Sequence, residues 1–176
     1  LFADFIGSIV IIFEKPYQIG DKVTLGNNYG EVKDIGLRST RIQTPGDEIV
    51  SVPNSAIFTQ PVTSGNAGDL AMMVLIDLYI SEDSDAPLAM KIAKEAVVTS
   101  KYVIISKKYP YTVLLEDFPF YKRVRAKAYV NDLRQEFEFR SEVTRRAWTE
   151  YLRAGIRAPP LVLQPEGKPP FPVERE

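Results

Sequence analysis

Carboxylates, lysines and arginines are the main groups left to do chemistry in this 176-residue chain, because it contains no cysteine and no histidine. That removes a thiol nucleophile, a Ser-His-Asp triad, a Cys/His zinc site and any disulfide framework. Three charged groupings remain. Glu82, Asp83 and Asp85 crowd together and could attract a cation, but they sit just before Pro87 and a helical stripe, where acids suit the helix N-terminus. Lys122, Arg123, Arg125 and Lys127 offer a basic strand face for anions or RNA, and their alternation with apolar residues is equally that of a solvent face. Glu116 and Asp117 with Glu136 and Glu138 offer carboxylate pairs, yet no nucleophile or pocket accompanies them. No catalytic, cofactor-binding or metal-binding residue is assigned, and the chain reads as a non-enzyme.

The balance of charge agrees. Lys and Arg total 22 against 23 Asp and Glu, a net charge of -1. Nucleic-acid binders carry a strong basic excess, so that class is disfavoured. At 45% hydrophobic and 26% charged residues, the composition is that of one ordinary folded domain or two small ones.

Leu1 to Phe13 reads LFADFIGSIVIIF, an apolar helix too short to cross a bilayer, which takes about 20 residues. It has no basic n-region or cleavage pattern of a signal peptide. Starting on Leu, it reads as the cut end of a longer chain. It is either a buried helix of a soluble core or the C-terminal part of a pore helix. Ala3, Gly7 and Ser8 lie at helical spacing and allow close approach of a neighbour. Phe5, Ile9 and Ile12 form a face expected to pack on the β-rich segment after the helix, and Gly7 with Ser8 softens the helix into a hinge.

Pro16 ends this helix. Short strands are predicted over Lys22–Leu25, Glu31–Ile35, Leu37–Thr44 and Glu48–Val52, with turns at 26–30 and 45–47. Val23, Leu25, Val32, Ile35, Ile42, Val50 and Val52 are the inward set, and Asn54 is placed to cap a brief helix through Phe58. Strands this short curl into a small barrel. The motif residues here have structural roles. Gly20 and Asp21 make a turn, Gly30 permits a bend or a close backbone approach in the strand that holds Val32, and Pro53-Asn54 stops a strand and starts a helical turn.

Gly65 to Gly68 marks a boundary. Beyond it a strand (Met72 to Ile80), a helix from Asp85 and Pro87, and a hairpin (Tyr111–Leu115, Tyr121–Val130) are predicted. A second helix begins at an Asp132/Gln135 capping box, carries Phe137, Ser141, Thr144, Trp148 and Tyr151/Leu152 on one face, and stops at Gly155. This is a split-βαβ arrangement. Residues 159–176 form a Pro-rich tail in which only Leu161–Leu163 reads as a strand.

Lys15-Pro16-Tyr17-Gln18-Ile19-Gly20-Asp21-Lys22-Val23 resembles the R-P-F-x-x-G-D-x-V element of the small-conductance mechanosensitive channel (MscS) family. Gly30-Glu31-Val32, Ile35, Leu37, Thr40, Thr44 and Val50-x-Val52-Pro53-Asn54 continue that family's run at matching spacing, and Ala154-Gly155-Ile156 is similar to the close of its last helix. Lys15, Tyr17, Pro45-Gly46-Asp47 and Pro159-Pro160 depart from the pattern. The resemblance implies a mainly α+β chain. Residues 1–15 would be the C-terminal half of the pore-lining helix, 16–65 a five-stranded Sm-like barrel, and 69–158 a ferredoxin-like vestibule domain. It further implies the cytoplasmic portion of a channel subunit in the inner or plasma membrane, opened by tension to release ions and small solutes for osmotic protection. Its partners would be identical subunits in a ring of seven, the bilayer through helices upstream, and permeant ions, without nucleic acid or cofactor. The alternatives are a soluble Sm-like RNA-binding module and a small-ligand-binding regulatory module.

Overall fold

A computed structural model describes residues 2–160, so the expected Leu161–Leu163 strand and the tail from 161 to 176 lie outside the described residues. The chain forms two compact units that divide between Leu70 and Ala71.

The first unit opens with α1 (Phe2–Glu14). The helix stops because Lys15 turns into the left-handed region, with φ 49°, directly before Pro16. A residue preceding proline is disfavoured in the α region. Five strands follow: β1 (Lys22–Leu25), β2 (Asn28–Ile35), β3 (Ser39–Gln43), β4 (Ile49–Pro53) and, after a 3-10 helix over Asn54–Phe58, β5 (Val62–Ser64). β2 begins earlier than expected. Leu25 pairs with Asn28, so Gly26-Asn27 alone makes the connection, with Gly26 at φ 61° in the first central position. A two-residue hairpin loop of this kind places glycine there. β3 is shorter than predicted, because Gly36 to Arg38 form the turn before it, with Gly36 N–H donating to Ser39 O at 2.9 Å.

The ladder order is β4-β3-β2-β1-β5, and β4 does not pair with β5. The expected closed barrel is therefore an open five-stranded sheet. Ala56 and Ile57 of the 3-10 helix pack half-buried against its core. Val23, Leu25, Val32, Ile42 and Val52 are buried as expected, with Ile11 and Tyr17 added, while Ile35 and Val50 are half-buried at its margin.

The second unit runs β6 (Met72–Ser81), α2 (Ala86–Val98), β7 (Val103–Ile104), β8 (Thr112–Phe118), β9 (Tyr121–Val130), a 3-10 turn (Leu133–Gln135) and α3 (Glu136–Arg153). β9 pairs antiparallel with β6 on one side and with β7 and β8 on the other. β6 and β7 are thus parallel, with α2 as their crossover and β9 between them. Asp85 starts α2 by accepting the Leu88 N–H at 2.9 Å.

α3 buries a face shifted from the predicted one. Tyr151 is buried as expected and Trp148 packs half-buried against the core, but Phe139, Val143 and Ala147 enter it in place of Phe137, Ser141 and Thr144, and Phe137 and Leu152 are exposed. Small residues decide this phase. Ala147 faces a core that also takes Ala89, Ala93 and Ala96 from α2, and such residues let the helices come close. The Asp132/Gln135 capping box does not form either. Asp132 caps the 3-10 turn through the Arg134 N–H at 2.9 Å, and Gln135 has no side-chain cap bond at the start of α3. Gly155, at φ 75°, terminates α3 as expected, and Ile156 N–H reaches back to Tyr151 O at 2.9 Å.

Candidate functional site

The motif residues converge where α1 meets the open sheet. α1 turns Gly7, Ser8 and Ile11 inward, onto the 3-10 helix that begins at Asn54. A Cβ on Gly7 would stand 2.6 Å from the Asn54 carbonyl carbon and closer still to its oxygen. Only glycine lets the helix lie this near the backbone. Ser8 is buried and satisfied within the helix, its hydroxyl donating to Phe5 O at 2.7 Å. The Ser55 hydroxyl donates to the Asp4 carboxylate at 2.5 Å, a polar clasp beside the glycine contact. Ala3 is exposed, at the rim of a groove it lines with Ser55 and Phe58.

The packing face is therefore not Phe5, Ile9 and Ile12. These three are exposed, together with Phe2 and Phe13, and they leave α1 with an uncovered apolar side. Gly7, for which both a hinge and a close-packing role are open from the sequence, sits at a close packing contact inside one continuous helix.

Asn54 does not cap the 3-10 helix; Pro53 holds that position with no side-chain cap bond. The Asn54 side chain points back into the sheet. Nδ2 donates to Gly36 O at 2.8 Å, Oδ1 accepts from the Thr40 hydroxyl at 2.9 Å, and the backbone N–H donates to Arg38 O at 2.9 Å. Thr40 also bonds the Tyr17 hydroxyl at 3.0 Å. Tyr17 directly follows Pro16, so a buried Tyr17–Thr40–Asn54 chain links the exit of α1 to the floor beneath it. Burial pushes the Tyr17 phenol above its ordinary pKa, partly opposed by the Thr40 bond.

A second cluster fixes the start of the sheet. Gly20 adopts φ 93° and its N–H donates to Val32 O at 2.8 Å, while Val32 N–H donates to Asp21 O at 2.9 Å. The buried Asp21 carboxylate accepts from Gln18 N–H at 3.0 Å and from Asn66 Nδ2 at 2.9 Å. Asn66 Oδ1 in turn accepts from Lys22 N–H at 2.9 Å. Gly30 packs on β3, where a Cβ would lie 2.8 Å from the Gln43 carbonyl carbon. Thr40 and Asn66 were legible as a motif residue and as part of a linker, but their buried roles carry no local pattern.

The arginines of the basic strand are engaged by acids. Arg125 Nε and Nη2 each reach Asp77 at 2.7 Å, Arg123 pairs with Glu116 and with Asp77 at 3.6 Å, and Lys122 donates to Glu82 O. The basic strand thus meets acids of its neighbouring strands. Asp83 accepts from the Ser81 hydroxyl, which holds its carboxyl below the ordinary range. What the junction can do is mechanical: it ties a helix to a sheet at backbone distance.

Residues 1–64 match the family described as the mechanosensitive ion channel β-domain. The chain is 31% identical over 96 residues to the mechanosensitive channel MscK of Escherichia coli, covering 54% of this chain and 9% of that protein. It is 44% identical over 62 residues to the MscS family protein YhdY of Bacillus subtilis, covering 35% of this chain and 17% of that one. Its fold is similar to closed-state MscS of Helicobacter pylori, with a TM-score of 0.70 and 17% identity over 93% of this chain and 64% of that one. The first unit is accordingly a β-domain of the mechanosensitive-channel type. The match places residues 1–64 in that β-domain family. It spans under a fifth of the length of MscK and of YhdY.

Proposed function

We propose that this chain is the part of a mechanosensitive channel subunit that joins the pore to the cytoplasmic vestibule. α1 is the end of a pore-lining helix, residues 16–65 form the collar below it, and 69–158 form the vestibule wall. The observation that carries this reading is the seating of α1 on the β-domain, Gly7 against Asn54, with an apolar face left outward. An uncovered face of five large apolar side chains needs a partner, and neighbouring copies of the same helix around a pore supply one. No described helix is long and apolar enough to cross a membrane. The spanning helices of this proposal precede α1.

Identical subunits form a closed ring, following the family a heptamer, with the bilayer held by the upstream helices. Tension selects the open state because it occupies more membrane area, and ions and small solutes then leave the cell. Both units lie on the cytoplasmic side of the inner or plasma membrane. Expression of the full-length protein in a bacterium stripped of its own mechanosensitive channels tests this. Survival of a sudden drop in osmolarity supports the reading, and death at the rate of the empty strain contradicts it. Neither alternative module is favoured, since the basic strand is engaged with Asp77 and Glu116.

A further inference from the structure

The second unit carries a lysine-bearing turn near one end of its long strands and an acidic loop at the other. β6 and β9 pair over ten residues, from Met72 opposite Val130 at one end to Ser81 opposite Tyr121 at the other. At a rise of about 3.3 Å per residue the ends lie roughly 30 Å apart.

At the Val130 end stands a stretch from Thr99 to Tyr111 that contains Lys101, Lys107 and Lys108 and no acid. It is held firmly. Lys107 and Lys108 are the central residues of a turn in which Ser106 N–H and Tyr109 O, and Tyr109 N–H and Ser106 O, bond at 3.1 and 3.2 Å. Tyr109 packs on Tyr129 at 5.1 Å between ring centres. Lys108 and Lys101 each lie 4.8 Å from the ring centre of the neighbouring tyrosine. Both turn lysines are exposed.

At the Ser81 end stands the loop of Glu82, Asp83 and Asp85, with no base between Glu82 and Met90. It too is held, by Ser81 N–H on Arg157 O at 2.9 Å, Ser84 N–H on Ser81 O at 3.1 Å and the Asp85 cap. Lys122 reaches the backbone carbonyl of Glu82, and all three acids are exposed.

We propose that the dilysine turn of one copy docks on the Glu82–Asp85 loop of the next. The occupant is a second copy of this chain because the chain itself carries both complementary surfaces, at opposite ends of one rigid sheet. Like charges oppose a two-fold contact through either end, whereas a contact between unlike surfaces repeats from copy to copy, and the ring proposed above sets the rotation at which it closes. The inference rests on the ring proposed for the channel and names the surfaces that build it.

The absence of cysteine from the chain makes the test direct. Lys107→Cys and Glu82→Cys are introduced together into the full-length protein, freed of any upstream cysteine, and oxidised in detergent. The expected result is a ladder of disulfide-linked subunits on a non-reducing gel, with none from either single variant. Reversing Glu82, Asp83 and Asp85 to lysine while keeping Lys107→Cys with a cysteine at Ser84 should slow linkage about tenfold or more at low salt. Raising NaCl to about 0.5 M should slow linkage of the original pair. Particles of full ring mass that give no ladder overturn the contact and leave the ring standing. A monomeric or dimeric wild-type protein overturns both.

Discussion

Gly7 and Asn54 meet at backbone distance: a single added methyl on the helix would lie 2.6 Å from the Asn54 carbonyl carbon. The contact joins a helix whose outer face is apolar to a sheet whose inner face is a hydrophobic core, so whatever moves α1 must move Asn54 or break away from it.

Gly7→Ala is therefore a packing substitution. Forcing extra volume into a tight contact costs about 1–3 kcal/mol. Urea unfolding of this chain should show the first unit destabilised by about that amount while the second unit keeps its midpoint. Under the proposed channel function, the same variant in the full-length protein should alter gating through a loosened α1.

Asn54→Ala strips the sheet of two side-chain partners. Gly36 O loses its side-chain partner and the Thr40 hydroxyl keeps only its bond to Tyr17, and a buried group left unsatisfied costs about 1–3 kcal/mol. The expected loss exceeds that of Gly7→Ala, read by the same urea titration. A loss below about 0.5 kcal/mol, the scale of ordinary surface changes, would remove Asn54 from its central place.

Much of this was legible before the structure. Gly26, Gly155, Pro16 and Asp85 act locally, through φ preference or a cap three residues away, and each does what its neighbours in sequence predict. What was not legible depends on residues far apart. The Asn54 side chain looked like a cap because it follows Pro53, but its partners are 14 and 18 residues earlier. The α1 face was chosen by size, Phe5, Ile9 and Ile12, when the close contact needed the smallest side chain. α3 was misread in the same way: Phe137 outweighs Ala147 in hydrophobicity, yet it is Ala147 that enters the core. Barrel closure failed as an expectation because strand propensity says nothing of whether two edges meet.

Alkaline pH should weaken the first unit through Tyr17. Its folded pKa lies above the ordinary value of about 10, so the neutral phenol is the form the fold retains. That contribution is whole below about pH 10 and is lost as pH rises through the folded value. Tyr17→Phe should flatten the alkaline loss of stability, while at neutral pH it forfeits the Thr40 bond at about 1 kcal/mol. Chemical unfolding at about pH 7 and about pH 11, on either side of the ordinary phenol value, reads both effects.

Gly30→Ala should disturb the pairing of β2 with β3, since its Cβ would meet the Gln43 backbone at 2.8 Å. The expected penalty is about 1–3 kcal/mol, with hydrogen-exchange protection lost first along Glu31 to Ile35 and Ser39 to Gln43. Unchanged protection there would show that the ladder yields without cost.

If this chain serves a tension-gated channel, the full-length protein must conduct when its membrane is stretched. Patch-clamp recording from liposomes holding that protein, with suction raised in steps, reads this without intermediaries. Discrete unitary currents should appear, with an open probability that rises steeply with tension and a shifted threshold in Gly7→Ala. Full-length protein of ring mass that passes no current at any tension up to patch rupture would rule the channel reading out.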